Sequence, residues 1–437
     1  MQAIKSKSHL LQLPPASTIP AVVRNESNVS TQDNRISWYA RPTTWFWSVI
    51  IIGALIRLYL VLFTQGTSDV ELWEENARGV YQLGLVNYYH AEPTANHPPA
   101  IFEFESLLCG AAIVTGLPFR ILLRLPLAVV DAATMILLMT LLPSNRYRFL
   151  IAAAYWLNPL AIILSAYHGN TDCAVAFFLL LCVWWSARNK SQLAGMALGA
   201  GLWIKLSVIL PIPAMFLFLQ GWRKRLIFCL SLGIIAVIGY LPALVQDAAV
   251  VYTNVFGYRG LALQTVGGVP VWGPRVLFSF FGSPTTWLAN WQTRIEYLSQ
   301  TDWQIALVLA LIFTWLRRSY RTVPGLCGTI AGIYAILYGF SDNWSFQYLA
   351  WALPFWFFLG PTFYIPAVLF NSGYIYSLYW FLCGNPWLGG RWNFDEHAYW
   401  PTWVMVFRNC SVAFFFVSGC ALLSLAVRRG LKFRLVK

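Results

Sequence analysis

The sequence predicts an all-α, polytopic transmembrane helix bundle of about 10–13 helices, on three observations. Of the 437 residues, 58% are hydrophobic and only 11% are charged, with a mean hydropathy of +0.58; soluble chains are about one quarter charged. Apolar runs near the ~20-residue length that crosses a bilayer recur over residues 45–63, 150–166, 226–245, 324–340 and 404–427. Between these runs sit short basic clusters: Arg146/Arg148, Arg188/Lys190, Arg223/Lys224/Arg225, Arg317/Arg318/Arg321, and the tail from Arg428 to Lys437.

That spacing explains the formal charge of +13. Basic residues interleaved with apolar spans are the mark of cytoplasmic loops rather than of a nucleic-acid surface, so no nucleic-acid partner is expected, and membrane lipids are. The eight cysteines are singletons in or beside apolar runs, without the CxxC spacing of a zinc site or a disulfide framework. Residues 1–43 are polar and carry no short apolar core with a small-residue cleavage site, so they read as a disordered cytoplasmic tail and the first apolar run as a signal anchor. The sequons at Asn25 and Asn28 carry no weight there, because a cytoplasmic tail is not glycosylated. Residues 44–427 form the membrane domain and 428–437 a basic cytoplasmic tail.

Placing the basic clusters in the cytoplasm puts residues 65–97, the 168–172 segment, a loop over roughly 247–275, residues 341–345 and residues 384–400 on the opposite side. Residues 347–359 then return as a span. In 98–142, two apolar runs flank Arg120 and Arg124 where the charges require an odd number of crossings, so one run is re-entrant or interfacial. Residues 192–220 read as two short halves around Lys205. On this topology Asp69, Glu71, Glu74, Glu75, Glu92, Asp172, Asp247, Asp342, Asp395 and Glu396 gather on the non-cytoplasmic side with His90, His97, His168 and His397. The positive-inside bias leaves acids there by default, but it does not account for four carboxylates between residues 69 and 75.

Several of these residues have the makings of a site. In the segment from Ser68 to Tyr81, apolar residues fall at 70, 73, 77, 80 and 81, the spacing of an amphipathic helix lying on the membrane. Ser68 is its expected cap, and acids in the first turn, Glu71 above all, suit the helix dipole. Asp69 stands where the first span ends, a place to meet a lipid-borne substrate. His97-Pro-Pro99 leads into a run carrying Glu103 and Glu105, and Arg57 lies inside the first span; ionisable groups at such depth face a cavity or a partner, or snorkel. The glycine-rich stretch around Arg259 offers backbone amides and a cation to a phosphate. Asp342 and Gln347 stand among aromatics at the mouth of a span.

Taken in order, these segments resemble the integral membrane glycosyltransferases of the GT-C superfamily. The resemblance runs over residues 45–360 and rests on the acidic first outer loop, His97-Pro-Pro, Arg124-Leu-Pro with Asp131, Leu157-Asn-Pro, His168-Gly-Asn-Thr-Asp172, Leu193-Ala-Gly, Lys205-Leu-Ser with Pro211, and Gln347-Tyr-Leu-Ala-Trp with Pro354. Asn170 stands where the family usually has Gln, and His97 where Tyr is more common. The resemblance implies a polyprenyl-phosphate sugar donor, a lipid-linked or glycan acceptor, Asp69 as catalytic base with Glu71 as its substitute, and Asp172 as a second acid of the same cavity. Arg57, His97, Glu103, His168, Arg259, Asp342 and Gln347 are the candidate substrate contacts. A divalent cation between Asp69, Asp172 and a histidine is compatible with the family, though no cofactor is required.

The chemistry agrees. Nucleotide sugars are cytoplasmic, so an outward-facing site needs a lipid-delivered donor, and a polyprenyl phosphate leaves without a general acid. One carboxylate that deprotonates the acceptor hydroxyl suffices, with inversion at the anomeric carbon and a hexose, mannose first, transferred. The rival reading is a transporter or flippase of a lipid-linked or amphiphilic solute, with Arg57, Glu103, Glu105, Asp131 and Lys205 along its path; it calls for structural repeats, and none is visible in the sequence. A non-catalytic scaffold subunit of a glycosylation complex is the third reading.

Overall fold

The computed structural model describes residues 44–142, 147–257, 265–266, 269–281, 294, 301–392 and 400–435. The 1–43 tail, Arg259 and the residues Asp395, Glu396 and His397 lie outside the described residues.

Helix α1 (Thr44–Phe63) is followed by α2 (Ser68–Leu83), α3 (Leu85–Ala91), α4 (Pro99–Thr115) and α5 (Phe119–Leu141). Then come α6 (Tyr147–Trp156) and α7 (Pro159–Ile162), which bend by 48° about Asn158, and a π turn over Ile163–Tyr167. Next are α8 (Asp172–Ala187), α9 (Ser191–Gly201), a 3₁₀ turn Leu206–Ile209, α10 (Ile212–Phe218) and α11 (Trp222–Val251), whose kink at Asp247 leads to a second π turn, Tyr252–Phe256. A two-residue ladder pairs Thr265–Val266 with Val269–Pro270. After it come α12 (Asp302–Leu316), α13 (Val323–Phe340), 3₁₀ turns over Phe346–Trp351 and Leu353–Leu359, α14 (Pro361–Cys383) and α15 (Thr402–Leu435). Among the described residues the structure is predominantly helical.

Among the described residues five helices are long and apolar enough to cross a membrane, or six if the bent α6–α7 pair is one span. They include every run singled out by hydropathy, and they mark the chain as a membrane protein. Fewer long spans are present than the expected 10–13 helices, because much of the bundle is built from short apolar helices such as α8 and α12. The return of residues 346–359 beside α13 is likewise two 3₁₀ turns rather than an α-helix: Phe358 and Leu359 come back to Gly328, near the start of α13.

The bundle has an acidic end and a basic end. Asp172 opens α8 and Arg188 closes it; Arg223, Lys224 and Arg225 open α11 and Asp247 lies near its finish; α12 runs from Asp302 to Arg317. The 98–142 stretch resolves on the same frame. Arg124 of α5 donates to the carbonyls of Leu60 (3.2 Å), Val61 (2.9 Å) and Thr64 (2.7 Å), which sets the start of α5 level with the end of α1. α4 ends just before α5 begins and packs against α2, and of α4 and α5 only α5 is long and apolar enough to cross a membrane.

Two devices hold the frame. Arg57 donates to Asp131 Oδ2 through Nε at 2.9 Å and Nη2 at 2.5 Å, while Nη1 reaches the carbonyls of Gly53 (3.1 Å) and Trp156 (2.9 Å); Tyr155 (2.6 Å) and Ser165 (3.3 Å) donate to the same carboxylate. The pair, both members under 4% exposed, is closed on itself between α1, α5, α6 and the π turn. It corrects the expectation that Arg57 contacts substrate. The second device is the spacing Gly195-Met-Ala-Leu-Gly199 on α9, where added side chains would strike the α11 backbone at Phe228 (2.3 Å) and Leu232 (2.7 Å). Small residues let helices approach closely in lipid, where packing replaces the hydrophobic drive. That contact fixes the chain just before Lys205.

Removing one member of a buried, satisfied pair leaves a lone charge and costs about 3–5 kcal/mol, whereas replacing both with apolar groups does not. Arg57→Met should therefore lower the thermal midpoint in detergent well below wild type, and Arg57→Met/Asp131→Leu should recover most of the loss. Equal midpoints for single and double variants would contradict the pairing.

Candidate active site

Local chemistry at two turns builds the site. Thr67, not Ser68, caps α2: its hydroxyl accepts the Asp69 N–H at 3.2 Å and donates to the His168 carbonyl at 2.7 Å. Thr67 rather than Ser68 serves because its hydroxyl also has to reach the neighbouring turn. That turn is prepared by Asn158, whose side chain accepts from Leu160 N (2.9 Å) with Pro159 in the first helical position, an arrangement that starts α7 at the bend. The π turn then carries the chain to His168, and Gly169 takes φ +75° where an added Cβ would meet Val70 at 2.3 Å. Only glycine fits that left-handed, crowded position. The reversal aims His168 and Asn170 at the same carboxylate.

Asp69 Oδ2 accepts from Asn170 Nδ2 at 2.8 Å and lies 3.2 Å from His168 Nε2. His168 Nδ1 is 2.8 Å from the Tyr379 hydroxyl, and its ring stacks on Tyr379. The Tyr379 contact and the stacked rings fix the orientation of the imidazole, which leaves Nε2 close to the Asp69 carboxylate without a hydrogen bond to it. Asp69 Oδ1 accepts no hydrogen bond among the described residues, and 28% of the side chain remains exposed. Burial by itself drives the Asp69 carboxyl up, but the His168 ring, Asn170 and the Lys205 ammonium together hold it below the usual carboxylate value of 3.8. It is an ionised carboxylate at neutral pH.

The exposed side of Asp69 faces a cavity of about 450 Å³ shared by Trp73, His97, Lys205, Gln347 and Trp351. Lys205 sits in the break between α9 and the 3₁₀ turn with an extended backbone (φ −159°, ψ 140°), which turns its side chain out of any helix. Its Nζ donates to Asp172 Oδ1 at 2.7 Å and lies 4.5 Å from the ring centre of Tyr348. Trp351 Nε1 donates to the same Asp172 oxygen. Asp172 thus stands behind Lys205 and orients it. His97 packs against Trp73, ring centres 4.3 Å apart. Burial, and secondarily the Lys205 charge, push its imidazole down to about 3, against a weaker opposing pull from Asp69, so the ring is neutral at physiological pH. Leu72 and Phe256, both about half exposed, stand at the rim.

Three of the expected residues, Asp69, His97 and Gln347, therefore line one cavity, while His168 and Asp172 are buried behind Asp69 and Lys205. Others lie elsewhere. Glu71 points away from Asp69 and pairs with Arg391 at 3.0 Å, because successive helical positions diverge around the axis. Glu103 is exposed on α4 and does not line the cavity. Asp342 belongs to a separate buried cluster: its N–H donates to Asp302, and its carboxylate lies 3.7 Å from Arg275 Nε. Glu105 of α4 is fully buried, and neither carboxylate oxygen has a hydrogen-bond partner. Among the described residues no three His, Cys, Asp or Glu side chains are grouped to hold a metal ion; Lys205 takes the Asp172 carboxylate instead. Lys205, Asn170 and Tyr379 were missed as site residues. The signal for Lys205 was its place as the one charge between two apolar halves.

Histidine-selective ¹⁵N NMR of the protein in nanodiscs, assigned with His97→Gln, should show the His97 ring neutral from pH 8 down to about 5. A midpoint near the usual 6.5 would overturn the burial and Lys205 account.

No protein-family model matches this chain, and no curated protein matches it in sequence, which leaves the geometry of this cavity as the ground for a functional reading.

Proposed function

We propose that the protein is an inverting, GT-C-like glycosyltransferase that moves a hexose, mannose first, from a polyprenyl-phosphate donor to a hydroxyl acceptor on the non-cytoplasmic side of the membrane. The observation that carries the reading is the Asp69 carboxylate, which accepts from Asn170 through Oδ2, has His168 Nε2 beside it, and lines a cavity that also holds the Lys205 ammonium. A base and a phosphate-binding cation in one cavity match the two needs of sugar transfer from a lipid phosphate.

In this mechanism the acceptor oxygen attacks the anomeric carbon from the face opposite the phosphate. The bond from that carbon to the phosphate oxygen breaks, the polyprenyl phosphate leaves with the electron pair, and Asp69 Oδ1 takes the acceptor proton. Lys205, oriented by Asp172, stabilises the charge that gathers on the departing phosphate. This is the part that sequence reasoning gave to Arg259 or Arg57. Neutral His97 and Gln347 bind sugar hydroxyls, and Trp73 and Trp351 offer ring faces. The half-exposed apolar rim at Leu72 and Phe256 suits a donor whose chain stays in the bilayer. The acidic end of the bundle, opposite its basic loops, supports the non-cytoplasmic placement.

The transporter reading draws on buried charge within the bundle. Arg57 and Asp131 are closed on each other, and Glu103 is exposed, which disfavours a continuous path.

Purified protein in lipid, supplied with polyprenyl-phosphate mannose, glucose or arabinose and a saccharide acceptor, should transfer the mannose. Asp69→Asn should slow turnover by about 10²–10⁴-fold with the protein still folded, and Lys205→Met should raise the KM for donor. Full activity of Asp69→Asn would remove it as the base and reopen the transporter case.

A further inference from the structure

A second cavity of about 310 Å³ lies on the other face of the Thr67–Asp69 segment. Thr67, Ser68 and Glu71 line this one, whereas Asp69 lines the first. Its far walls are Arg120, at the start of α5, and Arg391 with Trp392. The partition between the two cavities is thin: the Trp392 ring lies 6.4 Å from that of His168, and His168 is 3.2 Å from Asp69.

The chemistry of this second cavity differs from that of the first. Its charges cancel: Arg391 pairs with Glu71 at 3.0 Å, and Glu74 with Arg78 at 3.0 Å. Among the described residues Arg120 uses only Nε, donating to the Thr64 carbonyl at 3.3 Å, which leaves its terminal nitrogens as donors to the cavity. Gln65 and Ser68 add neutral donors and acceptors. An anion would be repelled by Glu71 and Glu74, and a cation by Arg120 and Arg391. A neutral ligand with many hydroxyls satisfies both sets, since planar guanidinium, carboxylate and amide groups each engage adjacent hydroxyls and Trp392 supplies an aromatic wall.

We infer that this cavity is an accessory carbohydrate subsite, which holds a neutral sugar residue of a glycan acceptor at a distance from the reacting hydroxyl. The inference rests on the transferase reading for the identity of the glycan, but not for the binding itself. A glycan lying over the first turn of α2 places one residue in each cavity, and contacts with the remote residue then contribute to the rate at Asp69. Glu71, expected from the sequence to substitute for the base, becomes part of this subsite.

The test uses the full chain in phosphatidylcholine nanodiscs, with methyl α-mannopyranoside and mannose 6-phosphate as probes in saturation-transfer NMR. The mannoside signal should fall about fivefold in Gln65→Ala/Glu74→Gln, the effect of losing one or two hydrogen bonds, and hold in Lys205→Met. A signal unchanged in the first variant, or lost in the second, overturns the subsite, as does tighter binding of the phosphorylated sugar that is lost in Gln65→Ala/Glu74→Gln and kept in Lys205→Met. In the transfer assay the Gln65→Ala/Glu74→Gln protein should show a raised KM for an oligosaccharide acceptor and an unaltered KM for the lipid donor. If sugar is transferred but that KM does not move, the subsite falls and the transferase stands. If no transfer occurs with any acceptor while mannoside binding still depends on Gln65 and Glu74, the subsite stands and the transferase reading falls.

Discussion

The arrangement depends on how charge is closed off inside the apolar bundle. A charge removed from water is costly unless it is paired and hydrogen-bonded. Arg57 meets that demand with Asp131 and two backbone carbonyls. Arg124 meets it with the carbonyls that end α1. Both arginines join α1 to α5, and the first also ties in Tyr155, Trp156 and Ser165. With these contacts set, the turn leaving α1 and the turn leaving α7 have to lie side by side. The Thr67 hydroxyl, donor to one and acceptor from the other, completes the junction.

From that junction the arrangement around Asp69 follows by short steps. The cap brings Asp69 to the His168 turn, and the left-handed glycine there swings His168 and Asn170 onto one oxygen. The close α9–α11 packing delivers the chain to the break at Lys205, and the same break keeps the ammonium free of helical geometry. Asp172, first residue of α8, holds the ammonium within reach of the cavity. Asp69 thus owes its position to backbone hydrogen bonds at two turns and its low pKa to neighbours from two other segments. Rigid elements supply the frame and irregular backbone supplies the chemistry, as in other membrane proteins where broken helices line cavities.

The two cavities suggest a division of labour along one helix. Residues at positions 69, 72, 73 and 76 turn to the first cavity, and those at 68, 70, 71 and 74 to the second. A single amphipathic helix thereby borders two cavities of different make-up. One holds an ammonium and a carboxylate, the other guanidinium and carboxylate groups with neutral polar side chains. The first suits a phosphate and a reacting hydroxyl, and the second a neutral polyol.

The sequence by itself determined the helical membrane class and the approximate spans, and it drew attention to Asp69 and Asp172. Hydrophobic length and charge spacing are local properties, and a bilayer imposes them on any crossing segment. The motif His168-Gly-Asn-Thr-Asp172 was legible for the same reason, since glycine and asparagine chemistry is written into a few adjacent residues. Only the tertiary structure decided that Arg57 is a strut and not a ligand, that Glu71 looks away from Asp69, that Asp342 joins Asp302, and that Lys205 is the cation of the cavity. Each of these depends on which partner lies across from a side chain, many residues distant along the chain. A buried charge is as consistent with a closed ion pair as with a substrate contact until its surroundings are known.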